Sequence, residues 1–203
     1  MSAATPRRRR MSRDERRRQM LDVAEQVFGE HGYQATSMDE IADRCGVSKP
    51  MLYEHFGSKD GLLLACMRRS KAELLDVTQK AMAQATDPAD ILWRGMVAYF
   101  GFVDSHSASF AMILREPFGP PETMKALDDA RAQQSGLIAG VLTTFVPDAP
   151  ADVIDAYTQI MMGASERLAQ WQTGRPEVSA EDAARYMTDF CWSGLSKYLS
   201  GAG

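Results

Sequence analysis

Residues 49–59 carry side chains that could bind a polyanion. Two ammonium groups, a phenol and an imidazole fall within this stretch, on Lys49, Tyr53, His55 and Lys59. Lysines bind phosphates, and polar side chains can reach base edges in the major groove of DNA. We therefore predict that the segment reads DNA, although Tyr53 and His55 could instead be packing residues and Met51 could be merely exposed.

Motifs for catalysis or metal binding are missing from the sequence. It contains no G-x-S-x-G, HExxH, P-loop or dinucleotide-binding fingerprint. The three histidines have no metal-ligand spacing, and the three cysteines lie far apart without a CxxC pair. We expect a protein that is not an enzyme and holds no cofactor or metal, with Cys66 and Cys191 as small buried side chains.

Charge is distributed unevenly along the 203 residues. The net formal charge is -4, but residues 1–70 carry 13 basic and 10 acidic side chains, whereas the remainder carries 10 and 17. This asymmetry indicates a polyanion-binding N-terminal part, unless the arginines form an inert solubilising tail. Since no transmembrane run or secretory signal is visible, we expect a cytoplasmic protein without membrane contact.

Helical periodicity follows a basic arm at residues 1–11. Four helices are expected to begin at serine caps, the first two in capping boxes with a glutamate three residues later; the caps are Ser12, Ser37, Ser48 and Ser58. Further helices are expected near residues 88–103, 110–114, 121–146, 151–173 and 180–200. The prediction is an all-α fold of about nine helices.

The second and third helices are joined by a short turn, Cys45-Gly46-Val47-Ser48. Its glycine gives the backbone the freedom that a tight turn needs. Two short helices around such a turn are typical of a helix-turn-helix DNA-binding unit. On the second of them, Leu52 and Phe56 share one face and are expected to pack inward.

Residues 36–62, TSMDEIADRCGVSKPMLYEHFGSKDGL, resemble the TetR family of transcriptional regulators almost throughout. The matching positions are Thr36, Ile41, Ala42, Gly46, Val47, Ser48, Lys49, Leu52, Tyr53, His55, Phe56, Ser58, Lys59 and Asp60. The recognisable motif covers about residues 15–65, and the remainder fits by helix count. Two positions depart from the pattern: Cys45 replaces a commoner alanine or leucine, and Gly61 weakens the start of the fourth helix.

The resemblance implies which residues meet DNA, with Lys59 on a phosphate. The full predicted set is Thr36, Ser37, Ser48, Lys49, Pro50, Met51, Tyr53, His55 and Lys59. It also implies three regions: a disordered basic arm at 1–11, a helix-turn-helix domain at 12–57 and a ligand-binding and dimerisation domain at 58–203. The arm is expected to add electrostatic affinity for DNA.

An apolar stripe in the third region predicts a small-molecule pocket. The predicted ligand-binding residues are Trp93, Met96, Tyr99, Phe100, Val103, Met112, Phe118 and Trp171. Candidate polar anchors are Asp104, His106 and Arg115. At any one position, however, such a stripe is more often core than pocket.

The last two helices are predicted to form a homodimer interface. Their apolar or small residues step by three and four, at Tyr157, Met161, Ala164, Leu168 and Trp171, and at Ala183, Met187, Phe190, Gly194 and Tyr198. A dimer would bind a pseudo-palindromic operator in double-stranded DNA. The predicted function is a repressor released by an unknown apolar effector. The alternatives are a ligand-dependent activator and a constitutive, ligand-independent DNA-binding dimer.

Overall fold

The computed structural model describes residues 11–106 and 121–199, and these residues form eight α-helices and no strand. The helices are α1 (Arg13–Ala35), α2 (Met38–Cys45), α3 (Lys49–Phe56), α4 (Lys59–Met82), α5 (Pro88–Ser105), α6 (Pro121–Phe145), α7 (Ala151–Thr173) and α8 (Ala180–Leu199). The predicted all-α fold is confirmed. The short helix predicted at 110–114 and the arm at residues 1–10 lie outside the described residues, as do Met112, Arg115 and Phe118.

The helix starts follow the predicted serine caps, with one difference in the capping boxes. Ser12 accepts a hydrogen bond from the Glu15 backbone N–H at 3.1 Å, and the Glu15 carboxylate accepts one from the Ser12 N–H at 2.7 Å. Ser37 accepts from the Glu40 N–H at 3.1 Å, but the Glu40 carboxylate pairs with Arg44 at 2.8 Å. The second capping box was therefore predicted wrongly, because an arginine one turn later competes for the glutamate.

The first three helices and the N-terminal half of α4 enclose a filled core. Its most deeply buried side chains, each at most 1% exposed, are Met20, Leu21, Ala24, Val27, Phe28, Ile41, Leu52, Leu62 and Cys66. The apolar positions recur at helical spacing on each element, so that one face of every helix turns inward. This core fixes the position of α3 at the surface.

The turn between α3 and α4 requires glycine at position 61. A Cβ there would collide with the carbonyl oxygen of Phe56. Ser58 completes the turn by accepting a hydrogen bond from the Gly61 N–H at 2.9 Å. The close approach of position 61 to the Phe56 carbonyl therefore explains why glycine stands there, although its low helix propensity is unfavourable at the start of a helix.

The fourth helix belongs to both halves of the molecule. Its 24 residues rise by about 36 Å, with Leu62 in the first core and Leu74 packed against the second. Arg69 of α4 pairs with Glu25 of α1 at 2.8 Å and with Asp22 at 2.6 Å. Since Glu25 is nearly buried, this ion pair binds α4 firmly to α1.

The second core is built from α4 to α8. Here α5 packs mainly on α4 and α8, while α6 packs on α7 and α4. Its buried apolar side chains include Phe100, Val103, Leu142, Ala169, Ala183 and Met187. None of the helices in the described part of the chain is long and apolar enough to cross a membrane.

Candidate DNA-binding surface and effector cavity

The turn before α3 is set by backbone hydrogen bonds around one left-handed residue. Gly46 has φ 65° and ψ 36°, a conformation that favours glycine. The N–H groups of Gly46 and Val47 donate to the carbonyls of Asp43 at 3.1 Å and Ala42 at 3.0 Å. Ser48 follows at the N-cap position of α3, but its side chain makes no capping hydrogen bond. The prediction of a side-chain cap at Ser48 was wrong, because the hydrogen bonds of this turn are formed by backbone groups.

One face of α3 is turned to solvent and carries most of the predicted DNA-contacting side chains. Lys49 and Pro50 are exposed, and so are Met51 and Tyr53, at 37% and 42%. Exposed large apolar side chains next to charged groups are typical of binding surfaces. His55 is half-buried, with its ring 6.0 Å from that of Phe56.

Two other predicted DNA contacts perform structural tasks at the start of α2. The Thr36 hydroxyl is buried and donates to the Gly32 carbonyl at 2.7 Å, which fastens the end of α1. Ser37 is exposed, but its hydroxyl accepts the capping hydrogen bond of α2. Their contribution to DNA binding therefore stays a prediction beside a definite local role.

Both candidate phosphate-binding lysines already have partners within the chain. The Lys49 Nζ donates to the Asp39 carboxylate at 2.8 Å, and this hydrogen bond raises the pKa of Lys49. The Lys59 Nζ lies 4.3 Å from the centre of the Tyr33 ring and 3.4 Å from the Gln34 carbonyl oxygen. Bound DNA would therefore have to replace Asp39 at Lys49.

The aromatic ring that contacts Lys59 was not predicted from the sequence. The Tyr33 hydroxyl donates a hydrogen bond to the Asp60 carboxylate, and burial together with this bond raises the pKa of Tyr33 to about 12. The tyrosine stays protonated at neutral pH and holds its ring beneath the lysine. The contact spans 27 residues of sequence, so that no local spacing pattern indicates it.

A cavity of about 130 Å³ lies in the C-terminal half, between α4, α5, α6 and α7, and Trp192 of α8 also lines it. Its wall is mainly aliphatic and includes Leu74, Leu75, Met96, Leu137, Ile138 and Met162. Apolar cavities with a few polar groups are the usual form of small-molecule sites. This cavity is the candidate effector site.

The polar groups of the cavity wall are few. Lys71 of α4 and Gln134 of α6 line it, and the Thr78 Oγ1 is buried without a hydrogen-bond partner among the described residues. Burial lowers the pKa of Lys71 and raises that of Tyr99, whose ring also lines the cavity. Such groups can orient a ligand that is otherwise held by apolar contact.

The predicted ligand-binding residues on α5 fall into different places. Met96 and Tyr99 line the cavity. Phe100 and Val103 are completely buried in the second core, outside the cavity wall, and Trp93 lines a separate surface groove toward α8. A helical stripe cannot separate these cases, because core and cavity lie on the same apolar side of a helix.

The remaining predicted pocket and anchor residues lie away from the cavity. Trp171 is 39% exposed, in a groove between α7 and α8. Asp104 is exposed, and the His106 ring stacks on Phe102 at 4.1 Å. The walls supplied by α4 and α6 were missed, although the apolar residues of α4 are visible in the sequence.

An apolar surface on α7 and α8 has no partner within the described chain. It carries Ile160, Trp171, Tyr186 and Phe190, which are exposed by 51%, 39%, 52% and 65%. Apolar patches of this kind mark protein interfaces.

The predicted dimer stripe needs correction, because three of its side chains pack inside the monomer: Met161, Ala183 and Met187. The burial of Gly194 and the side chain of Tyr198 lie outside what the structure describes.

Both halves of the chain match known protein families. Residues 20–66 match the family described as "Bacterial regulatory proteins, tetR family". Residues 88–194 match the family described as "Tetracyclin repressor-like, C-terminal domain". The chain belongs to the TetR family. The predicted family is confirmed, and this TetR-family chain is a transcriptional regulator rather than an enzyme.

Individual relatives extend over almost the whole regulator. It is 31% identical to the HTH-type transcriptional activator FasR of Mycolicibacterium smegmatis, over 92% of this chain and 86% of FasR. A TetR-like regulator from Rhodococcus sp. RHA1 is 29% identical with a TM-score of 0.76, over 92% of this chain and 99% of that chain. FadR of Bacillus subtilis, solved in complex with stearoyl-CoA, shares the fold, with 14% identity and a TM-score of 0.77 over 87% and 98% of the chains.

Proposed function

We propose that this TetR-family regulator is a cytoplasmic homodimer that binds a pseudo-palindromic operator through α3 and releases it when a small apolar molecule fills the cavity. One observation carries the proposal. The cavity wall includes α4, and the same helix is ion-paired to α1 of the DNA-binding half through Arg69 and Glu25. A ligand that displaces α4 therefore moves the helices that position α3.

The ion pair and the cavity lie close together on α4. Arg69 precedes Lys71, the first cavity residue on this helix, by two positions. Displacement of the cavity wall would change the tilt of α1 and α4 together, and hence the separation of the two recognition helices in a dimer. A coupling of about 1–3 kcal/mol, typical of allosteric proteins, would change operator affinity by about 5–150-fold.

Dimerisation is supported by the exposed apolar surface of α7 and α8. A two-fold axis through this surface would bury Phe190 and Tyr186 against their symmetry mates. Two recognition helices related by two-fold symmetry read two half-sites, which makes the operator a pseudo-palindrome. Light scattering at micromolar concentration tests this step, and a stable monomer would contradict it.

Activation is the second candidate for the direction of control. It is favoured by the similarity to FasR, a transcriptional activator that is 31% identical to this chain. The two modes differ in the position of the operator relative to the promoter. Transcription in vitro from a promoter with the selected operator distinguishes them, since added protein lowers transcript in one mode and raises it in the other.

The DNA-binding step is tested with an operator selected from random duplexes. Tyr53→Ala should cost about 1–3 kcal/mol of operator binding if the phenol contacts a base edge. Lys80→Ala is the matched control, because Lys80 is an exposed lysine of α4 that pairs with Asp76, one turn away. Unchanged operator affinity in Tyr53→Ala would show that α3 is not the recognition helix.

Effector control is tested by reciprocity. A thermal-shift screen with apolar small molecules identifies a ligand, because binding to the native state raises the melting temperature. Its dissociation constant is then measured with and without operator. The proposal expects operator to weaken ligand binding by the factor by which ligand weakens operator binding. Equal ligand affinities would show that the cavity does not control DNA binding.

A further inference from the structure

The effector cavity is a slot that follows α4 over several helical turns. On α4 its wall extends from Lys71 to Met82, a distance of about 16 Å along the helix. A volume of about 130 Å³ spread over that length holds on the order of ten water-sized groups. A cavity of this length has room for a linear chain.

One end of the slot carries a lysine that has no ion-pair partner among the described residues. Lys71 is partly buried at the cavity wall and forms no ion pair with any described carboxylate. The nearby carboxylates, Glu166 and Asp128, act on it only at longer range, and Glu166 lies 3.8 Å from the guanidinium of Arg131. An ammonium group held against apolar side chains is poorly hydrated, and an anion would stabilise it.

Two glutamines of the wall lie near the same end. Gln133 and Gln134 begin the α6 wall, close in sequence to Asp128 and Arg131, which act electrostatically on Lys71. The other end is lined by Met82, by Ile91 and by further apolar groups. The slot therefore has one basic, polar end and one apolar end, which is the polarity of an amphiphile.

We propose that the cavity binds a linear alkyl chain of medium length that ends in an anionic group, with Lys71 as the residue that binds the anion. This inference rests on the proposed function, since it concerns the same cavity. The anion could be the carboxylate of a free fatty acid or a phosphate of a thioester carrier, and both present the same chemistry to Lys71. A lysine that merely extends its ammonium to water is the competing interpretation.

The test measures dissociation constants of the full chain for decanoate, decanol and decanoyl-CoA by calorimetry. The wild type should bind decanoate at least about tenfold more tightly than decanol. Lys71→Met should weaken decanoate binding about 10–100-fold and leave decanol unchanged, whereas Lys71→Arg should retain most of the affinity. Lys80→Met removes a lysine of the same helix that lies outside the cavity wall, and should change neither.

Several outcomes would overturn the inference. Decanoate binding that is equal in wild type and Lys71→Met, with both proteins folded by circular dichroism, would contradict the role of Lys71. Decanol binding as tight as that of decanoate, or anthracene-carboxylate binding as tight as that of decanoate, would contradict the anionic or the linear ligand. Lys71-dependent binding of decanoyl-CoA without that of decanoate would support the inference and identify the thioester carrier as the source.

Operator affinity separates this inference from the function proposed above. Lys71-dependent decanoate binding that leaves operator affinity unchanged would support the ligand class and contradict ligand control of DNA binding. Release of operator by an uncharged molecule, with no decanoate binding, would support ligand control and overturn the ligand class.

Discussion

The two halves of the regulator differ in how completely their interiors are filled. In the N-terminal core, large side chains such as Phe28 and Met20 are at most 1% exposed. The C-terminal half encloses the slot, and it buries polar atoms of Thr78, Gln172 and Thr188 that have no hydrogen-bond partner among the described residues. A filled core resists deformation, whereas a cavity leaves the side chains of its wall room to move.

This difference matches the tasks of the two halves. Reading bases requires α3 to stay fixed to within fractions of an ångström, and close packing under Leu52 provides that. An effector site must change its shape between two states, and the slot is lined by flexible side chains, Met82, Met96 and Met162 among them. The regulator therefore combines a rigid reader with a deformable sensor, and α4 runs through both.

The largest expected effect compares two leucines of α4. Leu62→Ala should lower the free energy of unfolding by about 2–5 kcal/mol, because Leu62 is completely buried in the filled core and its loss leaves a new cavity. Leu75→Ala should cost only about 1 kcal/mol, because Leu75 is half-buried and already borders open space. Urea unfolding followed by circular dichroism measures both. Equal losses would show that the two interiors are packed alike.

A smaller effect is expected from the ion pair that joins α1 and α4. Arg69→Met should cost about 1.5–3 kcal/mol, since it leaves the nearly buried Glu25 without its guanidinium partner. It should also reduce the factor by which ligand changes operator affinity. Arg94→Met is the control, because the ion pair of Arg94 is with Asp90 on its own helix. Unchanged coupling in Arg69→Met would show that the ion pair does not transmit ligand binding.

The DNA-binding half was largely predictable from the sequence because its determinants are local. The capping serines and the glycine of the turn lie within a few residues of the helix ends that they mark. Spacing alone therefore indicates where α2, α3 and α4 begin. Predictions failed where another side chain competed, as when Arg44 took the carboxylate of Glu40. The Tyr33–Asp60 hydrogen bond could not be predicted, since it depends on how α1 returns to the start of α4.

The effector half was predictable as helices but not as a site. The slot is the space left between several packed helices, and no single helix determines that space. The stripe on α5 therefore correctly marked an inward face, while Phe100 on that face packs in the core and Met96 lines the slot. Lys71 gave no signal, because a lysine on a long helix is usually a solvated residue.

A modest gain in DNA affinity is expected when Lys49 loses its internal partner. Asp39→Asn removes the carboxylate that holds the Lys49 ammonium at 2.8 Å, and thereby frees the lysine for a phosphate. Exposed ion pairs are worth about 0.2–1 kcal/mol, so that affinity should rise by less than about sixfold. Fluorescence anisotropy with operator and with random duplex measures it. The double variant Asp39→Asn, Lys49→Ala should bind DNA no more tightly than Lys49→Ala alone. Tighter binding by the double variant would show that Asp39 acts on DNA affinity independently of Lys49.

The smallest effect is a difference in the reactivity of two buried cysteines. Burial raises the pKa of Cys191 on α8 to about 11 and that of Cys66 on α4 still further, so at pH 8 both thiols are protonated in the folded chain. The thiolate is the reactive form, and alkylation therefore requires local opening. If the C-terminal half is the more deformable, iodoacetamide should modify Cys191 faster than Cys66 under native conditions, as followed by mass spectrometry of the peptides. Decanoate should slow the alkylation of Cys191 more than that of Cys66, because it would bind the slot, which Trp192 of α8 lines. Equal rates at the two cysteines would mean that both cores open together, and the contrast between them would then be one of packing without a difference in motion.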